Sequence, residues 1–290
     1  MVTAGSNNVV LELGPTPFDI THRALVMGIL NRTPDSFYDA GQYWDFDDFL
    51  RKADLLVDDG ADFLDVGGVK AAPGEEVDVD EELQRVVPAV EALVDRYDLP
   101  ISVDTWNPVV LEECLKSGAV IANDISGFED PRYLEVASAH DATVIATHIR
   151  IGPRVPDPEP HYDDLVGEVR SFLADRAQMA LDAGIQRQRI IIDAGMDLGK
   201  NRYMSWELLD RSQELADLGY PLLLSASNKR FLFELLETER HNINEGSMAC
   251  HALGIAKGCR ILRAHDVRAS RRVADVMAEL LTRRAELDAA

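Results

Sequence analysis

The sequence has few cysteines and no long apolar run. Cys114, Cys250 and Cys259 stand singly, without a CxxC spacing, so neither a disulfide framework nor a zinc site is indicated. We expect three buried thiols without a catalytic role. No apolar run approaches the roughly 18 residues that suggest a membrane span, and Met1 to Asn8 lacks the basic start and apolar centre of a signal peptide. The expected protein is cytoplasmic, with no membrane partner.

Positive charge is also scarce. The 290 residues include 51 acidic and 29 basic side chains, which gives a formal net charge of −22. This excess argues against nucleic acid as a partner, and a phosphate-bearing substrate would need a local basic patch. Only six of the basic residues are lysines. A GC-rich genome and a salt-adapted host both fit this usage, and the sequence does not separate them.

The chain alternates between two patterns. Eight short apolar runs rich in branched residues are typical of strands buried on both faces. They begin at Ala24, Phe63, Ile101, Val120, Thr143, Ile190, Leu222 and Ile261. Between them, stretches that begin at Phe46, Glu81 and Leu165 repeat apolar residues three and four apart, which predicts helices. We predict one α/β domain, a (β/α)8 TIM barrel over 24–290 after an N-terminal extension of 1–23, with a doubly wound open sheet as the alternative.

Polar residues follow the apolar runs, and Gly60 and Gly184 follow predicted helices at positions that favour a left-handed cap. The polar residues at the run ends are Asn31, Asp65, Asp104, Asn123, Asp124, His148, Asp193, Ser227, Lys229, His265 and Asp266. In a barrel the carboxyl ends of all strands meet on one face, where such enzymes build their sites. Any single one of these residues could instead cap the helix that follows.

Seven motifs, each at the end of a different predicted strand, together resemble the dihydropteroate synthase family. They are MGILNRTPDSFYDAG (27–41), DVGGVKAAPG (65–74), ISVDTW (101–106), ANDISG (122–127), DAGMDLGK (193–200), SNK (227–229) and RAHD (263–266). The first is long and specific, and the others follow it in order. The resemblance implies a transferase of folate biosynthesis that joins a pterin methyl pyrophosphate to p-aminobenzoate, with Mg²⁺ as cofactor and pyrophosphate as leaving group. It also implies a homodimer formed through the last barrel helices.

The resemblance assigns Asp104, Asn123, Asp193 and Lys229 to the pterin pocket. A carboxylate such as that of Asp193 accepts two N–H bonds from an amino-pyrimidinone edge, and an amide both donates and accepts. Buried groups of this kind discriminate against ligands that lack matching partners. The same resemblance gives Lys229 a share in catalysis.

The resemblance assigns Asn31 to Mg²⁺ and to the pyrophosphate, for which an amide oxygen beside retained waters is a suitable hard ligand. Arg263 and His265 match the family's pyrophosphate anchor, where they stabilise the leaving anion and count as catalytic. The structural alternative for this pair is a surface ion pair with Asp266.

The acceptor half departs from the family pattern. Residues 69–72 read Val-Lys-Ala-Ala where the family usually has Glu-Ser-Thr-Arg, so Ala71 and Ala72 offer neither hydroxyl nor guanidinium, and Lys70 is a point charge without a planar fork. The other departures are Ala194, Asp197 and Leu198 in place of Pro, Gly and Phe, and Asn228 in place of Arg.

These altered loops resemble those of a divergent second paralogue found in some actinobacteria, which reads GGVKA-x-PG and SNK. The competing functions are a pterin-dependent transferase with another acceptor, and a pterin binder without synthase activity. A corrinoid-dependent methyltransferase would share the pocket, but the chain contains no cobalamin-binding segment.

Overall fold

A computed structural model describes residues 9–33, 45–74, 76–239 and 242–290. The strands in these residues are β1 Val10–Leu13, β2 Thr16–Asp19, β3 Leu25–Asn31, β4 Phe63–Gly67, β5 Ile101–Asp104, β6 Ile121–Asp124, β7 Thr143–Thr147, β8 Ile190–Asp193, β9 Leu222–Leu224 and β10 Cys259–Ala264. The α-helices are α1 Phe46–Asp58, α2 Val79–Arg96, α3 Pro108–Lys116, α4 Arg132–Ala139, α5 Leu165–Asp182, α6 Arg202–Asp210, α7 Ser212–Ala216, α8 Arg230–Leu236, α9 Asn244–Ala256 and α10 Val267–Asp288.

Strands β3 to β10 form a closed parallel barrel in chain order, with β10 paired back onto β3. The closure confirms the predicted TIM barrel and excludes an open doubly wound sheet. All eight predicted strands are present, and β4 and β7 are buried along their whole length. Branched apolar residues on both faces of each strand pack inward against the barrel interior and outward against the helices.

The connections follow local rules that the sequence shows. Asp45, Asp78 and Asp164 cap α1, α2 and α5 by accepting backbone N–H groups of the first helical turn. Gly60 and Gly184 have φ of 94° and 91°, which confirms the predicted left-handed positions after α1 and α5. These residues mark where α1, α2 and α5 begin and where α1 and α5 end.

A hairpin that the sequence analysis did not predict covers the amino-terminal end of the barrel. Strands β1 and β2 pair antiparallel, and Leu11, Leu13 and Ile20 pack among inward residues of the barrel strands. The backbone N–H of Gly14 donates to Oγ1 of Thr143 at 3.0 Å, so the turn is tied to the start of β7. The hairpin fills the end of the barrel opposite to the polar strand ends.

The last helices lie on the outside of the barrel. Helix α9 covers Asn244–Ala256 and precedes the last barrel strand. Helix α10 packs against α9 and exposes Val276, Leu280 and Leu287. Cys114, Cys250 and Cys259 are buried thiols, and β10 begins at Cys259, two residues before the predicted start. Within the described part of the chain, no helix has both the length and the apolar character needed to cross a bilayer.

The hairpin is expected to contribute strongly to stability. Leu13→Ala removes a side chain that is 0% exposed under the barrel, and such truncations cost about 2–5 kcal/mol in the free energy of unfolding. Leu280→Ala, at a side chain that is 57% exposed, is the matched control and should cost less than about 0.5 kcal/mol. Urea denaturation of both variants measures the difference. Equal losses in the two variants would contradict a packed hairpin.

Candidate active site

One cavity at the carboxyl ends of the barrel strands contains all four residues predicted for the pterin pocket. Asp104, Asn123, Asp193, Lys229 and Arg263 all line it, although they come from five different strand ends. Its empty space is about 330 Å³, part of which is open to solvent. The other lining residues are Ile125, Thr147, Leu198, Leu223 and Ser225.

Arg263 is the centre of an ion cluster inside this cavity. Its Nη2 lies 2.7 Å from Oδ2 of Asp65 and 2.7 Å from Oδ2 of Asp104, and its Nε donates to Asp65 at 2.8 Å. Asp266 instead accepts from Nδ2 of Asn244 and from the backbone of α10, so the predicted alternative of an Arg263–Asp266 ion pair is not present. Because Nε and Nη2 make these contacts, an anionic ligand must approach the Nη1 edge of the guanidinium.

Asp65 is the fully buried member of the ion cluster and bonds to several neighbours. The carboxylate is 0% exposed and accepts from Oγ of Ser102 at 2.6 Å and from Nδ2 of Asn123 at 3.3 Å, besides Arg263. Asp65 was noted at a strand end but not assigned to the site, because a sequence does not tell which strand-end carboxylate faces inward. Its DVGG context, directly after a strand, was the available signal.

Burial within this cluster, which carries more acidic than basic groups, raises the pKa of Asp104 to about 7. Burial is the largest cause, and the charge of Asp65 adds to it, while Arg263 opposes both. A carboxyl group in this state gains from any ligand that donates N–H bonds to it. The cavity therefore favours a ligand that presents N–H donors along one edge.

Asn123 and Asp193 each present an acceptor to the cavity. Since Nδ2 of Asn123 donates to Asp65, its Oδ1 is left to accept from a ligand. Asp193 accepts the backbone N–H of Gly195 at 2.8 Å, and burial raises its pKa, an effect that the charge of Lys229 reduces. Asp124, which directly follows Asn123, instead accepts the backbone N–H groups of Ser126 and Phe128.

His265 lies beside the cavity and is oriented by Ser227. The Oγ of Ser227 accepts the backbone N–H of His265 at 3.2 Å and lies 3.1 Å from its Nδ1. A hydroxyl that accepts from the backbone can donate its own proton to Nδ1, which favours the tautomer with hydrogen on Nε2. Asn228, between Ser227 and Lys229, has φ of 54°, a left-handed conformation that asparagine tolerates better than arginine.

Asn31 ends β3 on the same face of the barrel. A Cβ built on Gly67 would lie 3.8 Å from Oδ1 of Asn31 and 3.6 Å from Oδ2 of Asp104, so both oxygens border the same small space above β4. Among the described residues, no cluster of three or more His, Cys, Asp or Glu side chains could hold a metal. The chemistry of Asn31 fits a Mg²⁺ ion that takes one protein oxygen and completes its shell with waters and phosphate oxygens. Residues 34–41 of the first motif lie outside the described residues.

The altered loop that contains Lys70, Ala71 and Ala72 is held by arginines from other segments. The backbone N–H of Arg154 donates to the carbonyl of Ala71 at 2.8 Å, and its Nη1 donates to the carbonyl of Lys70 at 3.2 Å. Arg85 of α2 donates to the carbonyl of Gly68 at 2.8 Å. A guanidinium is thus brought to this loop by the β7–α5 connection, which the sequence analysis did not anticipate because Arg154 lies about 80 residues away along the chain.

The side chains of Asp197 and Leu198, the other altered positions, make different contacts. Asp197 has φ of 65°, and its carboxylate accepts the backbone N–H of Arg230 at 2.5 Å and lies 3.2 Å from Oγ of Ser205. It therefore caps the start of α8, in a contact that accounts for a carboxylate at this position. Leu198 lines the cavity next to Asp193 and Lys229.

Comparison with known proteins places these features in context. The family profile described as "Pterin binding enzyme" matches residues 27–265. Dihydropteroate synthase of Bacillus subtilis is 38% identical over 276 residues, which cover 94% of each chain.

Solved structures give the same result. Yersinia pestis dihydropteroate synthase in a sulfonamide complex superposes with a TM-score of 0.89 at 35% identity, covering 95% of this chain and 99% of that one. The Xanthomonas albilineans enzyme with 4-aminobenzoic acid superposes with a TM-score of 0.86 at 36% identity, covering 94% and 98%. The likeness extends over the whole barrel and is not limited to single motifs.

The ion cluster predicts how Asp104 responds to its neighbour. Asp65→Asn removes a like charge and leaves Arg263 to pair with Asp104 alone, so the pKa of Asp104 should fall below about 7, while burial keeps it above its ordinary value of 3.8. Carbon-13 NMR titration of labelled aspartate carboxyl groups measures this shift. Asp130→Asn, at a partly exposed carboxylate paired with Arg132, is the control that should leave Asp104 unchanged. A pKa of Asp104 that stays near 7 in Asp65→Asn would contradict the contribution of the Asp65 charge.

Proposed function

The chain belongs to the dihydropteroate synthase family of pterin-binding transferases, and we propose that its cavity joins a pterin methyl pyrophosphate to p-aminobenzoate in folate biosynthesis. The observation that carries this function is the convergence of five side chains on one cavity at the barrel end: Asp104, Asn123, Asp193, Lys229 and Arg263. They supply acceptors for a donor-rich ring and cations for an anionic leaving group.

The pterin ring binds among the buried acceptors. Asp193 accepts N–H bonds from the amino-pyrimidinone edge, because each of its oxygens can accept more than the single bond that Gly195 N–H uses. Oδ1 of Asn123 and the carboxyl group of Asp104 supply further acceptors, and Lys229 donates to a ring carbonyl or nitrogen. A ring that lacks these groups would leave buried polar atoms unpaired, which selects for pterins.

The pyrophosphate binds between Arg263 and His265. The Nη1 edge of Arg263 and the Nε2–H of His265 donate to its oxygens, in a protein that is otherwise strongly negative. In the reaction, the bond between the pterin methylene carbon and the pyrophosphate oxygen breaks, and its electron pair leaves with pyrophosphate. The aromatic amine then forms the new C–N bond and loses a proton. Stabilisation of the leaving anion is the main catalytic contribution, and no protein nucleophile takes part.

Asn31 would hold Mg²⁺ through its amide oxygen, beside the oxygens of the bound pyrophosphate. When bound, the ion supplies charge stabilisation for the phosphate groups. Lys229, which follows β9, and Arg263 of β10, the strand paired with β3, orient the substrate.

The acceptor binds at the loops that differ from the common family pattern. The sequences GGVKAAPG and SNK support a place for this chain in the divergent paralogue branch. The Arg154 guanidinium, hydrogen-bonded to the altered loop, supports continued binding of a carboxylate acceptor there. A different acceptor or a non-catalytic pterin binder is not favoured, because relatives over 94% of the chain are named dihydropteroate synthase.

The chain forms one domain in this proposal, and two copies of it form a dimer. We assign all 290 residues to one pterin-binding domain, since the barrel and its hairpin share a continuous core. The exposed Val276, Leu280 and Leu287 of α10 support a homodimer through the last helices.

The function is tested by mass spectrometry of the products that form from pterin pyrophosphate, p-aminobenzoate and Mg²⁺. We expect dihydropteroate from the wild-type protein, and a loss of about 100-fold or more in kcat/KM for Arg263→Ala, because that variant removes the charge facing the leaving group. Asp193→Ala should weaken pterin binding about 10-fold to 100-fold. Arg132→Ala, which removes an exposed arginine, should retain full activity.

Two outcomes would contradict these assignments. Full activity of Arg263→Ala would remove Arg263 from the site. Tight pterin binding by the wild-type protein without any product would overturn the synthase function and direct attention to another acceptor in cell extract.

The altered loop makes a separate prediction. Arg154→Ala removes the Nη1 bond to the Lys70 carbonyl and the nearby positive charge, so the KM for p-aminobenzoate should rise about 5-fold to 10-fold while the KM for the pterin stays unchanged. Steady-state kinetics with each substrate varied in turn measures the split. An equal rise in both KM values would show that Arg154 acts on the whole site, contrary to this assignment.

A further inference from the structure

Lys200 is a buried lysine at the end of the segment that follows β8. It is 6% exposed and lies directly before the residue that caps α6. Its Nζ lies 2.9 Å from the carbonyl oxygen of Gly195, 2.9 Å from the carbonyl oxygen of Leu198 and 2.9 Å from Nδ1 of His148. The carbonyl oxygen of His148 is a fourth neighbour at 3.3 Å. The amine therefore joins two connections, those after β7 and β8.

All four of these neighbours are acceptors. An ammonium group has three N–H donors, which match the three closest acceptors, whereas a neutral amine has two. Nδ1 of His148 can accept because burial, reinforced by the charge of Lys200, lowers the pKa of His148 to about 3 and keeps its ring neutral. The arrangement is complete only while Lys200 is charged.

The segment that Lys200 holds forms one wall of the cavity. The N–H of Gly195 donates to Asp193, and the N–H of Leu198 donates to the carbonyl of Gly195 at 3.0 Å. A Cβ on Gly195 would lie 1.9 Å from the carbonyl oxygen of His148, so the two connections are packed backbone against backbone. Leu198 lines the cavity at the end of this turn. The position of Leu198 thus depends on the carbonyl groups that Lys200 binds.

We propose that Lys200 is a positioning residue for the transfer reaction, whose ammonium group fixes residues 195–198 and thereby sets the acceptor wall of the cavity at Leu198. This inference rests on the proposed function. Lys200 is not among the residues that line the cavity. Its effect on the reaction therefore passes through the backbone carbonyl groups of Gly195 and Leu198. Asp193 is part of β8 and keeps its place by strand pairing, which limits the effect on the pterin side.

The charge of Lys200 is sensitive to pH near neutrality. Burial lowers its pKa to about 7, and the negative charge of Asp193 opposes this effect. The charged or titratable groups around it are His148 and Asp157 from the β7 connection, Asp193 and Asp197 from β8 and its loop, and Lys229 before α8. Because the pKa of a lysine is lowered here, the ammonium is present below about pH 7 and is lost above it. Acceptor use should therefore decline as the pH rises through 7.

The test compares Lys200→Met with wild type and with Lys116→Met, which removes an exposed lysine paired with Glu112 and Glu113. We expect the KM for p-aminobenzoate to rise about 10-fold or more in Lys200→Met, with pterin affinity within about 3-fold of wild type. The decline of kcat/KM for the acceptor above pH 7 should be present in wild type and in Lys116→Met and absent in Lys200→Met. Lys200→Gln, which keeps one amide donor, should give an intermediate KM and provides the comparison if Lys200→Met does not fold.

Hydrogen exchange of residues 194–200 gives a readout without turnover. Backbone amides of this segment should exchange about 10-fold faster in Lys200→Met than in wild type, while those of β8 stay protected. A wild-type protein that forms no dihydropteroate would overturn the proposed function but would leave this exchange comparison intact. Unchanged exchange, an unchanged acceptor KM, or an alkaline decline that persists in Lys200→Met would each overturn the role of Lys200.

Discussion

The site depends on one partly buried arginine placed between two carboxylates. Arg263, Asp65 and Asp104 lie on three strands, and shielding such charges from water is costly unless each has close partners, most of all for Asp65, which is fully buried. The closed barrel provides those partners at fixed distances, because β10, β4 and β5 converge at their carboxyl ends. Ser102 and Asn123 complete the bonding of Asp65. The orientation of the arginine, and with it the direction from which an anion can approach, follows from this network.

The acceptor half is organised differently, by cations that bind backbone carbonyl groups. Arg154 and Arg85 hold the loop after β4, and Lys200 holds the loop after β8. A loop fixed through its carbonyls can change its side chains without losing its course, so Ala71 and Ala72 need not weaken the loop itself. Asp197 fits the same view, since its carboxylate caps α8. The altered residues thus stand in loops whose backbone course is fixed by contacts from other segments.

The sequence was sufficient for the barrel because each strand and helix carries a local signal: a short branched run, an apolar repeat or a capping residue. It also indicated which strand ends carry Asp104, Asn123 and Asp193. The hairpin under the barrel was missed, because two four-residue strands have too few alternations to register as a pattern. The contacts of Arg154 and Lys200 were missed for another reason. They join segments that are distant along the chain, or they are bonds to backbone carbonyl groups. Residue spacing in the sequence predicts neither kind of contact.

The shared carboxylate also connects the two substrate halves in the proposed reaction. Asp104 contacts Arg263 and lines the cavity in which the pterin ring is proposed to bind. A ring that donates N–H bonds to Asp104 favours its charged form, which strengthens its attraction for Arg263 and holds the guanidinium in place for the pyrophosphate. Since both groups belong to one substrate, the ring would orient the cation that its own leaving group requires. Binding of the correct pterin and stabilisation of the leaving anion would then be coupled through the ion pair of Asp104 with Arg263, while Asp65 holds Arg263 from the other side.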